Sequence, residues 1–144
     1  MDKEIEKHKT FGRIACWKFK ENLKNYPGWN ICFDAIGRES IIALLDKMDW
    51  SEWPSKKSIN ITDPLEIKQE WILNNGKIFI PKSIIIKNKK EPRDLWSLKV
   101  IDDKLIISIG SEKLTELKNN IKKEIFDEAM VGNESENNNL LYFW

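Results

Sequence analysis

The sequence has little of what most catalytic and metal sites are made from. It holds one histidine, His8, and two cysteines, Cys16 and Cys32, in 144 residues. A histidine general base or a Ser-His-Asp triad would have to use His8, which lies in a charged N-terminal stretch predicted to be a frayed end or a short helix. Zinc sites draw on several cysteine and histidine ligands. We therefore expect no catalytic residue, no cofactor and no metal site.

Other absences narrow the class of protein further. No apolar run approaches the roughly 20 residues of a membrane-spanning helix, and the charged N-terminus does not resemble a signal peptide. We expect a cytoplasmic protein without membrane contact, in which both cysteines are buried thiols. The chain lacks the GxxxxGK[ST] and GxGxxG phosphate-binding patterns. Lys+Arg (24) and Asp+Glu (23) leave a net charge of +1, which argues against a strongly basic nucleic-acid binder.

The remaining composition is that of one folded domain spanning residues 1–144. The chain is 41% hydrophobic, which is enough for a core, and it contains no internal repeat or long linker. Apolar residues recur at helical spacing over two segments, which predicts helices at about 38–50 and 111–130. Ser111 is expected to cap the second helix, whose apolar stripe consists of Leu114, Leu117, Ile121 and Ile125.

Alternating apolar residues predict several strands, at about 29–34, 58–62, 77–80 and 83–87. Gly37 is expected to end the first, whereas 87–92 is expected to be a solvated loop. The clearest hairpin joins 96–100 to 105–109 through Asp102-Asp103.

Two segments are ambiguous. Segment 11–23 fits a helix or a strand, and 67–73 fits a strand, with a short helix over 64–73 as the alternative. Asn74-Asn75-Gly76 predicts a tight turn. The apolar ending 140–144 is expected to dock as a final strand that includes Trp144.

Together these elements indicate the α+β class. We predict an antiparallel sheet of about five to seven strands, with the two helices packed on one face.

Carboxylate pairs are available for acid/base or metal chemistry, but their positions favour ordinary structural roles. Asp102-Asp103 lies at a hairpin turn, and Asp46 and Asp49 lie on the predicted solvated side of a helix. An enzyme or small-ligand-binding protein that uses a carboxylate-lined pocket is the first alternative function.

The unusual feature of the composition is its seven tryptophans. Most fit buried positions, but Trp50-Ser51-Glu52-Trp53-Pro54 lies where a helix ends and a loop begins. Either both tryptophans cover the end of the core, or Trp50, Glu52 and Trp53 form part of a protein-binding surface. A nucleic-acid-binding adaptor is a further alternative, because lysines follow near these aromatic residues. They are Lys56, Lys57, Lys87, Lys89 and Lys90.

Three segments together resemble a known class of protein. The first is 29–53, in which a strand is followed by Ala35-Ile36 and an Ile- and Leu-rich helix. The second is 104–110, directly before a long amphipathic helix, and the third is the aromatic ending 141–144. They resemble the small immunity proteins that bacteria keep beside polymorphic or contact-dependent toxins. The resemblance implies a cytoplasmic protein that binds and blocks one cognate toxin without catalysis. It assigns no binding residues, and a homodimer stays open.

Overall fold

A computed structural model describes residues 3–20, 28–63, 78–123, 130–131 and 140–143 of the chain. The helices in this part are α1 (Lys3–Lys7), α2 (Ala35–Trp50) and α3 (Ser111–Lys122). The strands are β1 (Ile14–Phe19), β2 (Trp29–Phe33), β3 (Ser55–Asn60), β4 (Ile78–Phe79), β5 (Ser83–Lys90), β6 (Trp96–Ile101), β7 (Lys104–Gly110), β8 (Met130–Val131) and β9 (Leu141–Phe143). The predicted α+β class is confirmed. No helix among the described residues is long and apolar enough to cross a membrane.

The strands form two mixed sheets instead of the predicted single antiparallel one. The five-stranded sheet has the order β4-β1-β2-β9-β8, and the four-stranded sheet has the order β3-β5-β7-β6. Each contains one parallel pair, β2 with β9 and β5 with β7. Local alternation identifies strands but carries no information on which distant strands pair. The number and size of the sheets were therefore not accessible from the sequence pattern.

One hydrophobic core joins both sheets to the helices. Its members include Ile14 of β1, Ile84 of β5 and Leu117 of α3. Helices α2 and α3 pack against each other. Helix α2 contacts β2, whereas α3 contacts β5 and β7 of the four-stranded sheet and also β8 of the five-stranded sheet. Strand β2, the central strand of its sheet, is buried along its whole length, although the sequence predicted one buried face.

Helix α2 begins three residues earlier than predicted, because Asp34 caps it. The Asp34 carboxylate Oδ1 accepts hydrogen bonds from the backbone N–H groups of Gly37 (2.7 Å) and Arg13 (2.9 Å). Gly37 therefore lies in the first turn of the helix and does not end β2 as predicted. A Cβ atom at this position would lie 2.5 Å from the carbonyl oxygen of Arg13, so the close approach of β1 requires glycine.

Helix α3 carries the predicted buried stripe of Leu114, Leu117 and Ile121. It ends at Lys122, however, whereas the prediction continued to residue 130; Met130 lies in β8. The N-cap is Gly110 and not Ser111, and no side chain caps the helix. Position 110 requires glycine, because a Cβ atom at this position would overlap the carbonyl oxygen of Pro92.

The predicted hairpin is confirmed in its register. Trp96, Leu98 and Val100 of β6 lie opposite Ile109, Ile107 and Leu105 of β7. The turn residues Asp102 and Asp103 both have positive φ, at 53° and 62°. This combination is that of a type I′ turn, whose twist matches the flanking strands.

Other segment boundaries differ from the prediction. The expected loop at 87–92 is wrong over its first four residues, because β5 continues to Lys90. Strand β3 begins at Ser55 instead of residue 58. The ambiguous segment 11–23 contains strand β1. A final strand is present as Leu141–Phe143, and these three residues are buried. The predictions for 64–73, for Asn74-Asn75-Gly76, for Ile125 and for Trp144 lie outside the described residues.

Candidate functional site

The last residue of α2 and the turn that follows it present two tryptophans to solvent. Trp50 is 75% exposed and Trp53 is 68% exposed, with Glu52 exposed between them. The sequence left open whether these tryptophans cover the end of the core, and the structure shows that neither does. We refer to residues 50–53 as the tryptophan turn. The other described tryptophans are buried or half-buried; they are Trp17, Trp29 and Trp96.

Ser51 holds the tryptophan turn in place. Ser51 is the C-cap of α2, and its backbone N–H donates to the carbonyl oxygen of Lys47 (3.1 Å). Its hydroxyl group donates to the carbonyl oxygen of Trp53 (3.3 Å) and accepts from the Trp53 backbone N–H (3.4 Å). Ser51 itself is buried. The two aromatic side chains therefore project from backbone that is fixed on the inside by a buried hydroxyl group.

A groove of about 590 Å³ lies beside the tryptophan turn. Pro54, the residue after Trp53, is part of its lining. Three lysines line it as well, Lys56 from β3 and Lys87 and Lys89 from β5. We refer to it as the lysine groove. Its other described lining residues are Ile5, Glu6, Ser55 and Asn88.

Strand pairing fixes the lysines of this groove. Lys56 lies directly opposite Lys87 in the antiparallel pair of β3 and β5, and Ser55 lies opposite Asn88. Residues that face each other across two strands project their side chains on the same side of the sheet. The two side chains are therefore neighbours on one side of the sheet, although 30 residues lie between these lysines in the sequence.

A buried asparagine connects the groove to the end of α2. Asn88 is 1% exposed, and its side-chain amide donates to the carbonyl oxygen of Met48 (3.1 Å). The side-chain oxygen Oδ1 of Asn88 accepts from the backbone N–H of Lys90 (3.2 Å). The Lys90 ammonium group lies 3.4 Å from the same carbonyl oxygen of Met48. These bonds hold the last turn of α2 against the end of β5. The tryptophan turn and the lysine groove are thus parts of one connected region.

The charge of the lysine groove is not balanced within the described part of the chain. The side chains of Lys56, Lys87 and Lys89 make no ion pair or hydrogen bond with any described residue. Glu6 supplies one carboxylate among the described lining residues, and its backbone carbonyl accepts a hydrogen bond from Lys57 (2.6 Å). The groove offers cationic groups to an anion and is not the carboxylate-lined pocket of the first alternative.

Of the two predictions for the N-terminal stretch, the short helix is confirmed and the frayed end is wrong, and His8 is buried. It follows the short helix α1, which Ile5 anchors in the core, and is 9% exposed. Its Nε2 lies 3.0 Å from the carbonyl oxygen of Ser40, and its Nδ1 lies 3.0 Å from the ammonium group of Lys47. Burial and the nearby Lys47 charge lower the pKa of His8 below 6.5, against a smaller opposite effect of the Ser40 hydrogen bond. This histidine attaches α1 to α2.

The cysteines are free and buried, as predicted. Cys16 pairs with Ile31 and Cys32 with Ala15, so the two thiols lie on opposite faces of the sheet. Burial, assisted by the proximity of Cys32, raises the pKa of the Cys16 thiol far above its ordinary value. A protonated, inaccessible thiol is a poor nucleophile and a poor metal ligand.

The carboxylates Asp46 and Asp49 have a structural role. Both accept from the ammonium group of Lys118 on α3, at 3.0 Å and 3.1 Å, and both are half-buried instead of lying on the solvated face that the sequence predicted. Burial lowers the pKa of Lys118, but the two hydrogen bonds outweigh this effect and raise it overall. Within the described residues no group of three His, Cys, Asp or Glu side chains is arranged to hold a metal ion.

Comparisons with protein-family models, with curated proteins and with solved structures gave no match for this chain. Sequence reasoning identified Trp50, Glu52 and Trp53 and also noted the lysines. It missed Asn88, which it placed in a loop. The alternation of Ile84, Ile86 and Asn88 was the available signal, since a polar residue that continues an apolar stripe is a candidate for a buried hydrogen bond.

Proposed function

We propose that this protein is a non-enzymatic binding domain that recognises another protein through the tryptophan turn. The observation that carries the proposal is the exposure of Trp50 and Trp53 on a turn fixed by Ser51. Tryptophan is enriched among the residues that dominate protein interfaces, and exposed tryptophans that cover nothing in their own chain are uncommon. Because the turn is already hydrogen-bonded, binding loses little backbone entropy there.

The energetic contribution of such an anchor is substantial. A tryptophan side chain buries about 150–250 Å², and apolar burial contributes roughly 25 cal/mol for each Å². Each side chain thus offers about 4–6 kcal/mol before the costs of association are subtracted. Two such residues suffice as the centre of a specific interface, while neighbouring polar residues such as Glu52 provide the rim.

For the partner, we propose a cognate bacterial toxin, which makes the protein an immunity protein. The support is the resemblance of segments 29–53, 104–110 and 141–144 to such proteins, together with the absence of a metal-binding cluster among the described residues. Inhibition would be steric and electrostatic, because a domain of this size that binds over an active site excludes the substrate. Catalysis by the immunity protein is not required.

The test uses the proteins encoded beside the gene of this chain. Each is produced with and without this protein, and growth of the host and formation of a purified complex are recorded. A toxic neighbour that is neutralised by this protein is the expected result. Trp50→Ala and Trp53→Ala are then expected to raise the dissociation constant about 30-fold each, which corresponds to roughly 2 kcal/mol.

Phe11→Ala serves as the matched control, because Phe11 is an aromatic residue that is also 62% exposed. Its backbone N–H binds the hydroxyl group of Ser40, ten residues before Trp50 on α2. This variant is expected to change the dissociation constant less than three-fold. If no neighbouring protein forms a complex, the immunity function is rejected. If a complex forms but both tryptophan variants bind like the native chain, the tryptophan turn is not its anchor.

A further inference from the structure

The lysine groove is a concentration of positive charge in a chain that is otherwise balanced. The net charge of the whole protein is +1, yet Lys56, Lys87 and Lys89 line one groove with a single described carboxylate, that of Glu6. Like charges directly opposite each other across two strands destabilise a sheet. The opposed pair of Lys56 and Lys87 therefore costs folding energy, and a bound anion would remove that cost.

The groove is large enough for a short segment of chain. Its volume of about 590 Å³ lies within the range of binding pockets, about 300–1,000 Å³, and exceeds what a single small anion needs. Pro54, which is exposed, adds apolar surface to the lining. A peptide with carboxylate side chains and short apolar residues is complementary to this combination.

The lining of the groove favours a polypeptide over a nucleic acid. Proteins that bind single-stranded nucleic acids provide aromatic side chains on which bases stack. None of the described lining residues of the groove is aromatic, since Trp50 and Trp53 lie on the adjacent turn and not in the groove. Three lysines also supply few phosphate contacts compared with a typical nucleic-acid site.

We infer that the lysine groove binds an acidic polypeptide segment, rich in Asp and Glu, contributed by the same partner that the tryptophan turn anchors. This inference rests on the proposed protein-binding function and specifies the chemistry of the partner. The residues that carry it are Lys56, Lys87 and Lys89, with Pro54 connecting the groove to the tryptophan turn. Attraction between the lysines and the carboxylates would accelerate encounter, and the tryptophans would retain the complex.

The first experiment measures binding of the full chain to a fluorescein-labelled decapeptide containing six glutamates, by fluorescence anisotropy at low salt. The variant Lys56→Gln/Lys87→Gln/Lys89→Gln is compared with Lys20→Gln/Lys104→Gln/Lys122→Gln, which loses the same charge at exposed positions elsewhere. Circular dichroism and thermal unfolding check that both variants fold. We expect the groove variant to weaken binding at least ten-fold and the control variant to weaken it less than two-fold.

Three outcomes would overturn the inference. The first is that the native chain does not bind the acidic peptide, and the second is that both triple variants lose binding equally. The third is that a labelled ten-nucleotide oligothymidine binds more tightly than the peptide and that the groove variant loses this binding. The last result would assign the groove to nucleic acid.

The partner complex separates this inference from the proposed function. If Trp50→Ala and Trp53→Ala weaken the complex while the groove variant binds normally, the inference fails and the proposed function stands. If none of these variants weakens it, both fail. If the tryptophan variants and the groove variant all weaken it, while Phe11→Ala and the lysine control do not, both are supported.

Discussion

His8 lies between a carbonyl group and an ammonium group, and these neighbours decide which ring nitrogen carries the proton. The Ser40 carbonyl can only accept, so Nε2 carries the hydrogen that is donated over 3.0 Å. Nδ1 then accepts from the Lys47 ammonium group at 3.0 Å. A second proton would sit on Nδ1, directly facing that positive charge. The neutral form of His8 is therefore part of the folded structure.

This arrangement predicts how stability depends on pH. Burial, Lys47 and Lys57 lower the folded-state pKa of His8 below 6.5. Below pH 6.5 the unfolded chain therefore binds more protons at His8 than the folded chain does. The contribution of His8 to the free energy of unfolding is complete above pH 6.5 and is lost as the pH falls toward the folded-state pKa. Urea unfolding at several pH values is expected to show this loss, and His8→Gln is expected to reduce it.

The folded-state pKa can be measured directly, because the chain contains one histidine. In tag-free protein a single imidazole resonance titrates in the NMR spectrum. We expect its midpoint below 6.5, and we expect Lys47→Met to raise it, since that change removes the cation facing Nδ1. A midpoint at or above 6.5 in the native protein would show that the ring does not occupy this environment.

At the scale of secondary-structure elements, the turn between β6 and β7 is a place where the chain is not optimal. Asp102 and Asp103 both adopt positive φ, a conformation that Asn and Gly reach at lower cost. Asp102→Asn/Asp103→Gly is therefore expected to raise the free energy of unfolding by about 0.5–1 kcal/mol. Chemical denaturation with an unchanged m-value is the measurement.

The exposed ion pair between Lys82 and Asp103, at 4.0 Å, is a small counter-effect of this change. Lys82→Ala alone is the control for its loss and is expected to cost less than about 0.5 kcal/mol. A turn variant that is less stable than the native chain, with Lys82→Ala neutral, would contradict the type I′ assignment of the turn.

This hairpin and the stripe of α3 were predictable because their signals are local. Alternation over 96–109 and spacing from Leu114 to Ile121 specify which residues share a face without reference to any other segment. The boundaries that were missed depend on contacts with distant residues. Gly37, which was predicted to end β2, is required by the carbonyl oxygen of Arg13, and Gly110 is required by the carbonyl oxygen of Pro92.

At the scale of the whole molecule, the candidate site depends on pairings that no local pattern specifies. The exposure of Trp50 and Trp53 was one of two alternatives in the sequence, and the lysines appeared there as a group without geometry. Their arrangement follows from the antiparallel register of β3 and β5, which places Lys56 opposite Lys87. The polar residue Asn88 then joins that sheet to α2. Sequence reasoning could supply the residue types of the site but not their neighbours.

The five-stranded sheet shows the same dependence, because its fourth strand comes from the end of the sequence. Strand β9 runs parallel to β2, with Phe143 opposite Ile31, and Phe143 is 1% exposed. Phe143→Ala is expected to lower the free energy of unfolding by about 3–5 kcal/mol, since it leaves a cavity in the shared core. That is a large part of the roughly 5–15 kcal/mol typical of a domain.

Phe11→Ala makes the same chemical change at an exposed position and is expected to alter stability by less than about 0.5 kcal/mol. Urea denaturation followed by tryptophan fluorescence and by circular dichroism measures both variants. Because Phe143 belongs to the core that also contains Ile84 and Leu117, its loss is expected to shift both signals together. An unfolding midpoint for Phe143→Ala that matches the one for Phe11→Ala would mean that β9 does not complete this core. Separate transitions for the two probes would instead mean that the two sheets do not share one cooperative core.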